Sequence, residues 1–266
     1  MNLPAVIGHR GAAMRAPENT LAGFRAAKAL GCAWVEFDVR LTADGGIVLC
    51  HDDWLDRTTD AKGRVSDRSL QEVRQADAGA WYGPAFAGEQ IPTLEEALTL
   101  CAELGLGTNI EIKAEPGLAA PTAAAVCAVL ARVGGALGPV LVSSFIPEAL
   151  TEMRKLAPQV SRGLLLKLLS RGWGGLASRL DCTTVNFDHR RLSAGLVETI
   201  RAAGYPVLAY TVNDPARARL LFDWGVTSVF SDAPDIILSM IAAHQSERPV
   251  FPGATGIAPA PLGAGR

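Results

Sequence analysis

The stretch WVEFDVRLTADGGIVLCHD, Trp34 to Asp52, decides the fold. Its opening run, Trp34 to Val39, reads as a strand with Val35, Phe37 and Val39 on one face and Glu36 and Asp38 on the other, because residues two apart on a strand point the same way. Asp44-Gly45 is a strong hairpin turn signal. Thr42 to Gly46 is too short for a parallel crossover, so Ile47 to Cys50 is expected to fold back antiparallel. Pairing 39–41 with 47–49 brings His51 to the level of Phe37, beside both carboxylates.

Outward from this hairpin, short apolar runs recur at Ala5 to Gly8, Asn109 to Lys113, Val140 to Ser144, Gly163 to Leu166, Thr183 to Phe187, Pro206 to Val212 and Thr227 to Phe230. Segments of helical period alternate with them, at Thr20 to Leu30, Leu94 to Leu104, Thr122 to Val133, Glu148 to Leu156, Leu176 to Leu180, Ala194 to Ala203, Pro215 to Trp224 and Asp235 to Ala243. With Trp34 to Val39 this makes eight strand-then-helix units, which predict an α/β (β/α)8 TIM barrel rather than an open doubly wound sheet. Thr93 with Glu96, and Ser193, mark helix starts, while Gly31, Gly204 and Gly225 mark helix ends. The polar stretch 53–92 lacks the period and is expected to be a small insertion after the second strand hairpin, on the C-terminal face. The barrel domain is expected to span 1–248, and 249–266, with four Pro and four Gly, to form a flexible tail.

The chain has 266 residues, 49% hydrophobic and 20% charged, with 27 acidic against 25 basic side chains and a net charge of -2. Its pI is about 6.1. That balance excludes a nucleic-acid binder held by counterion release. The mean hydropathy is +0.20, yet no run reaches the about 18 consecutive apolar residues of a spanning helix, so no stable membrane insertion is expected. MNLPAVIGHRG lacks the parts of a secretory signal, which points to a cytoplasmic location. Five cysteines, Cys32, Cys50, Cys101, Cys127 and Cys182, contain no CxxC pair, which argues against a disulfide framework or a thiolate zinc site. Cys50 adjoins His51 but faces the other way on a strand and reads as packing.

Active sites of such barrels lie at the C-terminal ends of the strands. Here those ends are polar: Gly8-His9-Arg10-Gly11, Glu36 with Asp38, His51-Asp52, and Glu111 with Lys113. Three carboxylates that converge need neutralising, and hard oxygen donors match Mg²⁺ or Ca²⁺. The alternative is an ion network in which Lys113, Arg10 and Arg40 balance the acids without a metal. His9 and His51 titrate near neutrality and stand next to this cluster, as a general acid and base would. Arg10 offers a planar fork for a phosphate, and Lys113 a second cation. A Schiff-base role for Lys113 would need an apolar pocket, which the acids deny it. Asn19, in PENT, reads as the cap of the first helix, with a place behind the metal as the alternative. His189 is expected at the rim and His244 at the surface near a helix end.

These residues also carry a resemblance. His9-Arg10-Gly11, Pro17-Glu18-Asn19-Thr20, Glu36-x-Asp38, Leu41-Thr42-x-Asp44-Gly45, His51-Asp52, Arg57-Thr58-Thr59, Ile91 to Glu96, Asn109 to Lys113, Ser143-Ser144-Phe145, Tyr210-Thr211-Val212-Asn213 and Ser231-Asp232-x-Pro234-Asp235 keep the order and spacing of many motifs over about residues 5 to 240. Together they resemble the glycerophosphodiester phosphodiesterase family in its cytoplasmic bacterial form. The resemblance implies a barrel enzyme that cleaves a small-molecule glycerophosphodiester, such as glycerophosphocholine or glycerophosphoethanolamine, into an alcohol and sn-glycerol 3-phosphate. It also implies one divalent metal ion held by Glu36, Asp38 and Glu111, His9 and His51 as the acid and base pair, and Arg10 and Lys113 near the phosphate. Tyr210 stands where the family usually has Trp and keeps an aromatic wall. Which histidine is the acid stays open, as does whether water or the glycerol 2-hydroxyl attacks first. The competing readings are a phospholipase-type enzyme acting on intact lipid and a non-catalytic binder of glycerol phosphates. Apolar helix faces would allow a homodimer.

Overall fold

The computed structural model describes residues 1–246; the tail read at 249–266 lies outside the described residues. The strands are β1 (Val6–Gly8), β2 (Trp34–Leu41), β3 (Ile47–Leu49), β4 (Gly107–Ile112), β5 (Val140–Ser144), β6 (Ser161–Leu166), β7 (Thr184–Asp188), β8 (Val207–Tyr210) and β9 (Ser228–Ser231). The helices are α1 (Leu21–Ala29), α2 (Leu70–Val73), α3 (Leu94–Glu103), α4 (Ala119–Val133), α5 (Pro147–Leu156), α6 (Trp173–Arg179), α7 (Ala194–Ala202), α8 (Pro215–Asp223) and α9 (Pro234–Ser246). Eight strands run parallel in the order β1-β9-β8-β7-β6-β5-β4-β2, and a β1–β2 pairing closes them into a TIM barrel.

Strand β2 is long because one edge pairs with β4 while the other serves two partners in turn. Its start pairs with β1 at Gly8↔Val35, and its end carries β3 antiparallel at Val39↔Leu49, Arg40↔Val48 and Leu41↔Ile47. The Cys50 N–H then donates to the Asp38 carbonyl at 3.1 Å, which extends the pairing one step and sets His51 at the level of Phe37. Hairpin register and turn are those read from Asp44-Gly45.

Outward side chains such as Val35, Phe37, Ile110 and Val142 are buried under helices, forming the main apolar core with Phe24, Leu94 and Leu98. Inside the barrel, Ile7, Trp34, Leu141, Leu208 and Phe230 plug the N-terminal end. Trp34 lies level with Gly107, and a Cβ at Gly107 would meet the indole at 2.3 to 2.6 Å. Gly107→Ala is therefore expected to lower stability by about 1–3 kcal/mol through overpacking, read as a fall in the urea midpoint; an unchanged midpoint would contradict this packing.

Three readings shift. Helix α4 starts at Ala119, three residues before Thr122, because Pro121 falls in the first turn, where its missing N–H has no intrahelical acceptor to lose. Helix α6 starts at Trp173, through Gly174 and Gly175, whose low helix propensity hides it. Within 53–92, a Ser69–Glu72 capping box opens the single-turn α2, and Leu55, Val65, Val73 and Ile91 pack with Val48 and Cys50 into a small core of their own. The Thr93–Glu96 box and the Ser193 cap are present, and Gly31, Gly204 and Gly225 adopt φ of 94, 90 and 94.

Candidate active site

Alternation along β2 turns Glu36 and Asp38 into the barrel, and the register sets Glu36 level with Asn109 and Asp38 level with Glu111 on β4. One ligand oxygen from each of Glu36, Asp38 and Glu111 lies within 4.8 Å of the others, and all three residues are buried. Two side-chain cations face these three acids. Lys113 Nζ contacts Glu111 Oε1 and lies 3.3 Å from Asp38 Oδ1, while Arg10 Nε is 3.3 Å from Asp38 Oδ2. Arg40 takes no part. It donates to the His51 carbonyl at 2.7 and 3.0 Å and pairs with Asp53 at 2.6 Å, since it sits above the barrel rim, under the fold-back.

Among the described residues Glu36 forms no ion pair with a Lys or Arg side chain, and its cationic neighbour is His9, whose Nε2 lies 3.8 Å from Glu36 Oε2. Burial and the Asp38 charge push the Glu36 pKa up to about 8, and its Oε1 is buried without a hydrogen-bond partner. Burial would raise Asp38 too, but Lys113 and Arg10 outweigh it and hold Asp38 well below the usual carboxylate range. Burial and Asp38 also raise Glu111 against the pull of Lys113. A buried trio of oxygen donors, one of them an oxygen of Glu36 with no Lys or Arg partner, fits a hard divalent cation.

The turn after β1 delivers the next two groups. Arg10 has φ of 50, uncommon for a residue other than Gly; its backbone N–H donates to Glu36 Oε2 at 3.0 Å, and its guanidinium donates to Glu18 at 2.7 Å. Asn19, at φ 56, is not the cap of α1. Thr20 is, its hydroxyl accepting from the Gly23 N–H. Asn19 instead donates to Asp38 Oδ2 at 3.0 Å and accepts from the Asp38 N–H at 3.1 Å, so it positions a carboxylate.

Each histidine is oriented by a carboxylate. His9 Nδ1 lies 2.6 Å from Asp232 Oδ1, and Asn213 Nδ2 holds the other Asp232 oxygen at 2.7 Å. His51 Nδ1 lies 2.6 Å from Asp52 Oδ1; Arg57 ties Asp52 to Glu18, the same carboxylate that binds Arg10. Burial would lower His9, but Glu36 and Asp232 more than offset it and hold His9 above its ordinary value. Burial, with Arg10 and Lys113, takes His51 below its own. Glu18, Asp52, Asn213 and Asp232 were not assigned roles from sequence, although each falls in a quoted motif, just beyond a strand or in the loop after it.

His9, His51, Arg10, Lys113 and Tyr210 line a cavity of about 210 Å³, together with Glu36, Glu111 and Phe145. Tyr210 donates its hydroxyl to the Leu166 carbonyl at 2.9 Å and meets Phe145 edge to face, centroids 5.7 Å apart. His189 lies outside this lining, in a 3-10 turn after β7, and His244 is exposed on α9. Cys50 is a buried thiol pushed up to about 12 by burial, unsuited to attack. All five cysteines are free. Among the described residues no helix is long and apolar enough to cross a membrane.

Fold and rim define a TIM barrel with a buried acidic trio and two carboxylate-paired imidazoles at the C-terminal ends of its strands, and comparison with known proteins says to which family it belongs. The model of the Glycerophosphoryl diester phosphodiesterase family matches residues 9–236. A Bacillus subtilis (strain 168) protein, YhdW, is 37% identical over 88% of this chain and 96% of its own length. A glycerophosphodiester phosphodiesterase of Caldanaerobacter subterraneus subsp. tengcongensis is 33% identical over 89% and 97%. Among solved structures, an Oleispira antarctica phosphodiesterase in complex with the product sn-glycerol-3-phosphate superposes with a TM-score of 0.88 and 41% identity, covering 90% of this chain and 97% of that one. The chain belongs to the glycerophosphoryl diester phosphodiesterase family and is an enzyme of that family.

Proposed function

We propose that the chain hydrolyses soluble glycerophosphodiesters to an alcohol and sn-glycerol 3-phosphate, using one Mg²⁺ or Ca²⁺ ion held by Glu36, Asp38 and Glu111. The observation that carries this reading is the buried carboxylate trio with two imidazoles beside it, each of which has its Nδ1 fixed by a carboxylate. When bound, the ion supplies Lewis-acid polarisation of a phosphoryl oxygen.

The chain's own residues do the rest. Arg10 and Lys113 bring positive charge to the phosphate from the lining of the cavity, where a water-poor site strengthens their pull on the charge that develops. His51, kept neutral, takes the proton of the attacking hydroxyl. His9, its Nδ1 held by Asp232, gives a proton to the departing alcohol. Tyr210 walls the cavity on the side away from the carboxylates. Water and the glycerol 2-hydroxyl are both served by this arrangement as the first nucleophile.

Asp232→Asn is expected to lower kcat about ten- to a hundredfold with KM nearly kept, because an amide no longer fixes the His9 tautomer; an unchanged kcat would remove Asp232 from the account. The reaction itself is tested by product identity. Incubation with glycerophosphocholine and glycerophosphoethanolamine should release sn-glycerol 3-phosphate, and incubation with phospholipid vesicles should release none. Turnover of vesicle lipid alone would overturn the choice of substrate, and stoichiometric retention of the diester without turnover would make the chain a binder.

A further inference from the structure

The cavity has a floor and a mouth of different chemistry. On the floor Asn109 and Asn186 are 1% and 0% exposed. Asn109 gives its amide N–H to Ser143 Oγ and Asn186 accepts from Thr184 Oγ1, both at 2.9 Å. That leaves Asn109 Oδ1 and Asn186 Nδ2 without a hydrogen-bond partner, one acceptor and one donor, the complement of a hydroxyl. The cavity's volume of about 210 Å³ is below the about 300–1,000 Å³ of pockets that enclose a whole drug-sized ligand. The polar floor therefore suits the glycerol phosphate half, and the alcohol projects to the mouth.

The mouth is cationic. The Phe145 ring has two ammonium groups over it, Lys113 Nζ at 5.7 Å and Lys167 Nζ at 5.6 Å from its centroid. Lys113 is engaged by Glu111 and Asp38. Lys167 is exposed, lines the cavity and forms no ion pair with any described residue. Asp188, which closes the neighbouring β7, is already bound to Arg190. A quaternary ammonium is usually bound by open aromatic faces, and Phe145 is already covered by cations of the protein's own.

Resting on the reaction proposed above, we propose that Lys167 makes the alcohol subsite repel cations, so that diesters of uncharged polyols or of anionic alcohols are taken in preference to those of choline and ethanolamine. A single exposed lysine at this range acts through solvent, so the preference is about five- to tenfold and shrinks with salt.

The test compares kcat/KM for glycerophosphoglycerol and glycerophosphocholine, at low and high ionic strength, in the unaltered enzyme and in Lys167→Glu, a surface substitution that keeps the fold. The unaltered enzyme should favour glycerophosphoglycerol, less so at high salt, and Lys167→Glu should cancel or reverse the ratio through KM. Preference for glycerophosphocholine, or an identical ratio in Lys167→Glu, overturns the proposal. Loss of turnover on both diesters in the unaltered enzyme would instead overturn the reaction on which it rests.

Discussion

His51→Ala should lower diester hydrolysis by at least about a hundredfold while the protein stays folded, and His9→Ala should do the same. Both imidazoles sit at the rim, with side chains 32% and 15% exposed, so truncation opens no cavity in the apolar core. What is lost is a proton acceptor on one side of the phosphate and a proton donor on the other. Neither neighbour substitutes for them: Asp52 is held down to about 2 by Arg57, with His51 adding, and Asp232 lies below its ordinary range because His9 and Asn213 outweigh its burial. Such weak bases cannot abstract a hydroxyl proton near neutrality. Steady-state rates with denaturation midpoints in parallel check this, and full activity in both variants would remove the acid and base assignment.

Glu36→Gln should have the opposite effects on stability and on activity. In the protein without a divalent cation, Glu36 is pushed from an ordinary 4.5 up to about 8 by burial first and Asp38 second. Between these values the folded state binds more protons than the unfolded one, so this group makes stability fall as pH rises from about 5 to 8. A cation that needs the ionised carboxylate displaces that proton, and its stabilising effect should therefore be larger at pH 8 than at pH 6. Gln resembles the protonated form. Glu36→Gln should thus be at least as stable as the chelated parent at pH 8, lose the Tm gain on adding Mg²⁺ or Ca²⁺, and lose activity by at least about a hundredfold. Thermal melts at the two pH values, with chelator and with each cation, read all three; a cation-induced Tm gain in Glu36→Gln equal to the parent's would contradict the ligand role.

The barrel was legible because β2 states its geometry locally. Alternation assigns Glu36 and Asp38 to one face, and a turn signal at Asp44-Gly45 fixes the register that returns His51. Asn19 was read as a cap because Asn before a helix is a good one, yet Thr20 holds that place. What decides its role is the β2 strand passing beside it, a contact between residues 19 apart that no local pattern contains. Arg40 looked like a counter-ion because alternation puts it on the acidic face; only the level of the barrel rim sends it to Asp53 instead. Asp232 reaches His9 across 223 positions, where β9 and β1 lie side by side. Closure of a barrel makes such pairs, and only the closed ring brings them within reach.

The most direct test of the account is the rate of sn-glycerol 3-phosphate release from glycerophosphoethanolamine by the enzyme with a chelator, with Mg²⁺ and with Ca²⁺. The account predicts turnover that a chelator abolishes and that at least one of the two cations restores. Undiminished turnover after complete chelation would contradict it, leaving Lys113 and Arg10 to balance the buried carboxylates without a metal.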